Sequence, residues 1–228
     1  MSTIPPEENA DEVWDEFRWE QFMQEQDRKV DRLIELMKKY MDDPNRDEII
    51  EREMGWSVPP GEAENDLDFL GQEFFDEDEE EDGEGWKSAA GVEDEGEELE
   101  LHAFRKLPAF QKANDFGLRA FDFVEKLPEH IREDSDVVDF ISNAMIAAAK
   151  LAGGASFDED ANLLGGSIAY CKRGLNASNN SIEALQAMKR RKIIDEASYL
   201  SLFEDAKEVR DLIAVYIVEL REKFRRGV

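Results

Sequence analysis

The chain has 228 residues, 41% of them hydrophobic, and 28 Lys+Arg against 56 Asp+Glu, a net charge of −28. Residues 1–100 hold 9 basic and 36 acidic residues, a balance of −27, and residues 101–228 hold 19 and 20, a balance of −1. Like charge at that density opposes compaction of the first hundred residues unless apolar burial offsets it, and the single cysteine, Cys171, excludes an intramolecular disulfide or a thiolate metal cluster.

In chain order, residues 8–42 are expected to form one helix. Val30, Leu33, Ile34, Met37, Tyr40 and Met41 recur at helical spacing, and Trp14, Phe17, Trp19, Phe22 and Met23 supply aromatic bulk upstream. Asp43-Pro44 stops it. A second, short helix is expected over Arg46–Met54, ended by Gly55. Val58-Pro-Pro-Gly61 breaks the chain, and residues 61–100 read as a disordered acidic stretch whose run over 76–84 cannot build a core. One apolar island interrupts it: Leu67, Phe69, Leu70, Phe74 and Phe75, with Trp86 further on. These are candidate partner-binding residues, an acidic–aromatic peptide for a groove; the alternative is a fragment that docks on the protein's own helices.

Four further amphipathic helices follow. The first runs from Leu107, with Pro108 in its first turn, and carries the stripe Phe110, Ala113, Phe116, Ala120, Phe121, Val124 and Leu127. The second runs over 134–151 on Val137, Val138, Ile141, Ala144, Met145 and Ala148, with Gly153-Gly154 expected to interrupt it. The third spans 158–192, and its polar middle, Asn176 to Ser181, has poor helix propensity and marks a kink or a functional polar patch. The fourth runs from an Asp195 N-cap to about Arg225. No alternating strand pattern competes. The expected fold class is therefore all-α: an N-terminal amphipathic helical segment (1–56), an acidic disordered linker (57–104) and an antiparallel four-helix bundle (105–228).

Chemistry-bearing patterns are sparse. His102 and His130 stand alone, without ligand spacing for zinc. Asp78, Glu80, Asp82 and Gly83 resemble the opening of a calcium loop, but Ala89 stands where a bidentate Glu is required. No phosphate loop, nucleophile elbow or Ser/His/Asp pattern occurs, so no catalytic residue, cofactor or metal is expected. One basic cluster, Lys189, Arg190, Arg191 and Lys192, is a candidate phosphate or acidic-peptide contact; the alternative is complementation of the helix dipole. The opening MSTIPPEENADEVWDEF has neither a basic nor an apolar signal region, and the apolar stretch Met145–Ala155 is too short to span a bilayer. A soluble, cytoplasmic protein is expected.

Several stretches carry a resemblance: Phe110-Gln-Lys-Ala113, Phe123-Val-Glu-Lys-Leu-Pro128, Ala187-Met-Lys-Arg190 and Ile193-Ile-Asp-Glu-Ala-Ser-Tyr199. Over about Leu107–Phe224 the chain resembles the four-helix-bundle family of proteins encoded in intervening sequences of bacterial ribosomal RNA genes. The accessory (variability determinant) protein of diversity-generating retroelements belongs to the same group. The resemblance implies a bundle, ring-forming homo-oligomers in some members, and nucleic-acid binding in the basic accessory protein. Here Ile141 to Gly154 keeps the small residues of the family's central run without its arginines. The resulting expectation is a non-enzymatic interaction or scaffold protein that binds itself and a further protein, its acidic half recruiting a partner or shielding the bundle. The alternative is a nucleic-acid-associated accessory protein whose acidic segment acts as an internal phosphate mimic, a reading the charge balance disfavours.

Overall fold

A computed structural model describes residues 13–56, 103–155 and 162–227. Among the described residues the chain is all-α: seven α-helices, one 3-10 helix and no strand. It divides into two compact units, Met1–Phe22 with Glu95–Val228, and Met23–Asp94. The division falls inside the first helix, α1 (Glu16–Lys39), so the residues around Trp14 and Trp19 belong with the C-terminal helices.

α1 starts later than the expected residue 8. Asp15 sets its start, its carboxylate accepting from the amides of Phe17 (3.0 Å) and Arg18 (2.9 Å). In the smaller unit the apolar stripe is also in a different phase, since Leu36 is buried while Ile34 and Met41 are exposed. Asp43 accepts from the Asn45 amide at 2.9 Å and turns the chain into α2 (Arg46–Met54), with the expected bounds. Gly55, at φ 72°, takes the left-handed position that closes α2, and Arg32 caps the same end by donating to the Glu53 carbonyl at 2.5 Å.

The larger unit is built on four long helices: α3 (Pro108–Glu125), α5 (Ser135–Ala155), α6 (Leu164–Arg190) and α7 (Glu196–Arg226). A one-turn helix, α4 (Glu129–Arg132), lies between α3 and α5. α6 packs against α5 and α7, and α3 packs against the same two. Phe116 and Phe140 meet edge to face at 6.1 Å in the core, with Val137, Leu151, Ile168, Leu185, Met188, Val209, Ile213 and Leu220 fully buried around them. On α5 the deep positions are Val137, Phe140, Ala144, Ala147 and Leu151; Val138 and Met145, expected in the core, are exposed, as is Phe121 on α3.

At both places where the sequence suggested an irregularity, the helices are continuous. α5 runs unbroken through Gly153-Gly154, and α6 runs unbroken through Asn176–Ser181. Helical glycine costs roughly 0.5–1 kcal/mol relative to alanine, so Gly154 needs a compensating contact, and it has one. A Cβ there would lie 3.0 Å from Cys171 Sγ, 3.1 Å from the Ser167 carbonyl and 3.2 Å from Tyr170 Cβ. The glycine is the point where α5 and α6 come together. The polar run on α6 is explained the same way: Ser178 Oγ donates to the Ala206 carbonyl of α7 at 3.3 Å, and Ser181 Oγ to the Phe140 carbonyl of α5 at 3.5 Å. Small hydroxyls let both neighbours approach and join them by hydrogen bonds.

The unbroken α5 also revises the bilayer comparison. Over Ser135–Ala155 it has the length and apolar composition to cross a membrane, because it takes in the turns before Met145 as well as both glycines. Its deep face packs against α3 and α6.

The Gly154 contact makes a prediction. Gly154→Val adds volume where a single methyl already meets sulfur and backbone, and overpacking of that kind costs about 1–3 kcal/mol. The Tm, followed by circular dichroism at 222 nm, is expected to fall by roughly 5 °C or more, despite valine's better helix propensity than glycine.

Candidate functional site

The most elaborate surface feature of the larger unit is the docking of residues 14–22 on α6 and α7. Trp14, Trp19 and Phe22 form a triangle of edge-to-face rings with centroids 5.8, 5.9 and 6.1 Å apart. Trp19 is only 1% exposed, although it lies outside the main core cluster. Its indole covers Gly166, where a Cβ would come within 3.1 Å of Cδ2 and Cε2. One residue earlier, a Cβ on Gly165 would collide with the backbone carbonyl of Trp14. Two adjacent glycines in the first turn of α6 thus form a flat seat into which a tryptophan and a stretch of backbone fit.

Charge surrounds the seat. Both Glu16 oxygens accept from Arg221 Nη2 of α7 (3.0 and 2.9 Å), and Lys172 of α6 stands 3.5 Å from the same carboxylate. Glu20 takes a two-point contact from Arg173 Nε and Nη2 at 3.0 and 3.1 Å. Lys172 Nζ also lies 4.8 Å from the Phe17 ring, and the Arg18 guanidinium 4.4 Å from the Trp14 ring. Two carboxylates one helical turn apart therefore meet three cations on two other helices.

Magnitudes separate the roles. A fully buried tryptophan withdraws roughly 150–250 Å² from water, about 4–6 kcal/mol at ~25 cal/mol/Å² as an upper bound. The ion pairs are partly exposed and contribute about 0–1 kcal/mol each. Trp19 supplies most of the docking energy, and the carboxylates set orientation and register.

The basic cluster expected to meet phosphate or acidic peptide is divided by the fold. Lys189 Nζ pairs with Glu196 at 2.8 Å and lies 4.1 Å from the Tyr199 ring. Arg191 forks onto Asp134 (2.7 and 2.5 Å) and Asp136 (2.5 Å), joining the end of α6 to the start of α5. Lys192 adopts φ 60°, and the Ile193 amide returns to the Met188 carbonyl at 2.9 Å, a helix-ending turn. Arg190 is exposed beside them. Leu67, Phe69, Leu70, Phe74, Phe75 and Trp86 lie outside the described residues, as do His102 and the acidic run over 76–84. His130 is exposed.

A second polar cluster ties α3 to α7. Asp205 is nearly buried and accepts from Lys112 at 3.0 Å and from Arg119. Arg119 also reaches Ser201 (2.8 Å), and Lys112 reaches Glu208 (2.7 Å). Glu208 and then Asp205 raise the Lys112 pKa. Every charge in this group has an opposite neighbour, which makes it a brace between helices. Among the described residues no group of three or more His, Cys, Asp or Glu is placed to hold a metal ion. No family model, curated protein or solved structure matches the chain.

The cation seat was not foreseen from the sequence. Glu16 and Arg221 are 205 positions apart and Glu20 and Arg173 are 153 apart, so no local pattern pairs them. The available signal was Gly165-Gly166 at the head of a helix, placed beside the aromatic spacing of Trp14 and Trp19.

Two predictions follow from this geometry. Trp19→Ala is expected to release residues 14–22, raising tryptic cleavage after Arg18 by roughly a hundredfold, the equivalent of about 3 kcal/mol. The Tm of the C-terminal helices should barely move, since Trp19 is outside their core. The second concerns acid. Arg191 holds the Asp134 carboxyl below its ordinary 3.8, and the Ser198 hydroxyl and amide hold Asp195 below the same value. A depressed folded pKa stabilises above the ordinary value and is lost as pH falls through the folded one. Asp134→Asn/Asp195→Asn should therefore flatten the decline in stability measured by urea titration as the pH falls below the ordinary value of 3.8.

Proposed function

We propose that this protein is a non-enzymatic interaction protein. In this reading α3, α5, α6 and α7 form an antiparallel four-helix bundle that self-associates through one apolar face and keeps a second, cationic face covered by its acidic N-terminal segment. The covering of Arg221, Lys172 and Arg173 by Glu16 and Glu20, anchored by Trp19 on Gly166, is the observation that carries it. The short connection over 191–195 supports an antiparallel pairing of α6 and α7, as does the resemblance of the C-terminal half to the intervening-sequence proteins.

Support for self-association comes from the outer surface of α3 and α5. Leu118, Phe121, Val138, Met145 and Ile146 are all exposed, and Met145 bridges the two helices, its sulfur 3.0 Å from where a Gly117 Cβ would stand. Exposed apolar side chains on two neighbouring helices suit a protein contact better than water.

A second reading is supported by the same carboxylates. Glu16 and Glu20 occupy the places where phosphates of a nucleic acid would meet three cations, so the segment serves as an internal phosphate mimic. The mimic covers Lys172, Arg173 and Arg221 and not Lys189–Lys192.

Both readings are tested on the full chain. Light scattering is expected to give an oligomer for the wild type and a monomer for Met145→Glu; a wild type that stays monomeric at high concentration overturns self-association. Glu16→Gln/Trp19→Ala/Glu20→Gln is expected to remove the cover without adding a cation. Should it then bind single-stranded RNA with a log–log salt slope of about −2, the value for three contacted phosphates, the phosphate-mimic reading prevails. Salt-independent behaviour eliminates it.

A further inference from the structure

We infer that two copies of this chain pair along α5 in antiparallel, about a two-fold axis that crosses the helix between Ala144 and Met145. The inference rests on the self-association reading above and gives its apolar face a geometry and a stoichiometry. Between Ser135 and Ala149 the exposed residues of α5 include a single charge, Asp139; the others are Val138, Met145, Ile146, Ala149 and two serines. The outer side of α7 is the ordinary case, with Glu204, Lys207, Glu208 and Asp211 all exposed within eight residues. On the edge nearer α3, Leu118 and Phe121 extend the apolar surface, and Met145 stands over Gly117. An uncharged face of this length on an acidic chain is one that water covers poorly.

The charges at its two ends decide what covers it. Asp139 and Lys150 share the edge nearer α6 with Asn143, which accepts from Asn180 of α6 at 3.3 Å, and Lys150 Nζ stands 5.5 Å from the Tyr170 ring. Among the described residues neither Asp139 nor Lys150 makes an ion pair, whereas the nearby Asp134 and Asp136 are taken by Arg191. Eleven positions separate the two, about 16 Å along the axis. Laid antiparallel on a second α5 with the midpoint of these positions on the two-fold axis, Asp139 of each copy comes opposite Lys150 of the other, on the same edge and twice over. Met145 and Ile146 then stand at the centre, and the apolar row is buried against itself. A parallel pair leaves the opposite charges about 16 Å out of step. A foreign helix needs the same row and the same two charges in reverse order, which a second copy has by construction. The balance of −1 over residues 101–228 leaves the two bundles little net repulsion, and a two-fold contact closes at two copies instead of building a ring.

Charge exchange on the full-length chain tests the pairing. Asp139→Lys sets a cation against Lys150 of the other copy, and Lys150→Asp sets a carboxylate against Asp139, so each alone is expected to raise the dimer Kd at least tenfold by light scattering over a dilution series. The double exchange, Asp139→Lys/Lys150→Asp, restores opposite signs and is expected to return the Kd to near the wild-type value. Circular dichroism checks that each variant keeps its helix content. Cross-linking tests the direction independently. Position 142 lies roughly 8 Å along the axis from its counterpart and position 135 roughly 28 Å, so a short bismaleimide is expected to join copies of Ser142→Cys but not of Ser135→Cys. The wild type, whose lone Cys171 is buried, serves as the blank.

A dimer indifferent to both single exchanges, a double exchange that fails to restore it, or equal cross-linking at 135 and 142 overturns the inference. So does a ring larger than two copies. If Met145→Glu still gives a monomer while the exchanges are silent, self-association through this face stands and only the antiparallel pair fails. A wild type that stays monomeric at high concentration overturns both, and one that also floats with phosphatidylcholine vesicles gives the face to a lipid surface.

Discussion

The larger unit depends on how closely α5 and α6 approach. α6 has fifteen buried residues, ten of them Gly, Ala, Ser or Cys, so its bulk is mostly backbone and its neighbours pack against the main chain. Where Gly154 meets the Ser167 carbonyl and Cys171 a methyl group would fit only if its neighbours gave by a few tenths of an ångström, and Gly174 comes similarly near the Ala147 carbonyl. Interiors at this density gain their cohesion from many small dispersion contacts and lose it quickly when volume is added. The slenderness of α6 leaves it three usable sides: one toward α5, one toward α7, and one, at its head, flat enough to accept an indole.

Around this apolar framework the charges of the C-terminal helices pair across seams. Arg191 draws together the α6 end and the α5 start, and Lys112, Arg119 and Asp205 link α3 with α7. Lys189 and Glu196 bracket the turn between α6 and α7. Among the described residues, these charges of the C-terminal helices are thus matched locally. Arg173, Lys172 and Arg221 find their carboxylates in the acidic half of the chain. That difference makes this cationic group the natural place to look for exchange of partners, although individual pairs of this kind contribute little to stability.

Much of the local structure was legible because its causes are local. Gly55 closing α2, Pro108 opening α3 and Asp195 capping α7 each follow from one residue's conformational or hydrogen-bonding preference. The stripes were legible in period but less so in phase. On α5, Val138 and Met145 were favoured over Phe140 and Leu151 by spacing alone, and packing against two neighbours turned the helix the other way. Propensity misled where tertiary contact overruled it. Gly153-Gly154 and the Asn176–Ser181 run look like breaks to a rule about isolated helices, yet small residues are what a crowded helix seam requires. The seat on Gly165-Gly166 was least legible, since it joins residues from opposite ends of the chain.

Cys171 acquires an unexpected use from this arrangement. Its thiol is fully buried, beside Gly154 at the tightest part of the α5–α6 seam. A bulky alkylating reagent has no path to that sulfur while the two helices stay together, so modification proceeds only through moments of separation. Because the chain has no other cysteine, the labelling rate of the whole protein is a clock for the breathing of one seam. The molecule carries, without alteration, a chemical reporter of how often its central helix comes loose.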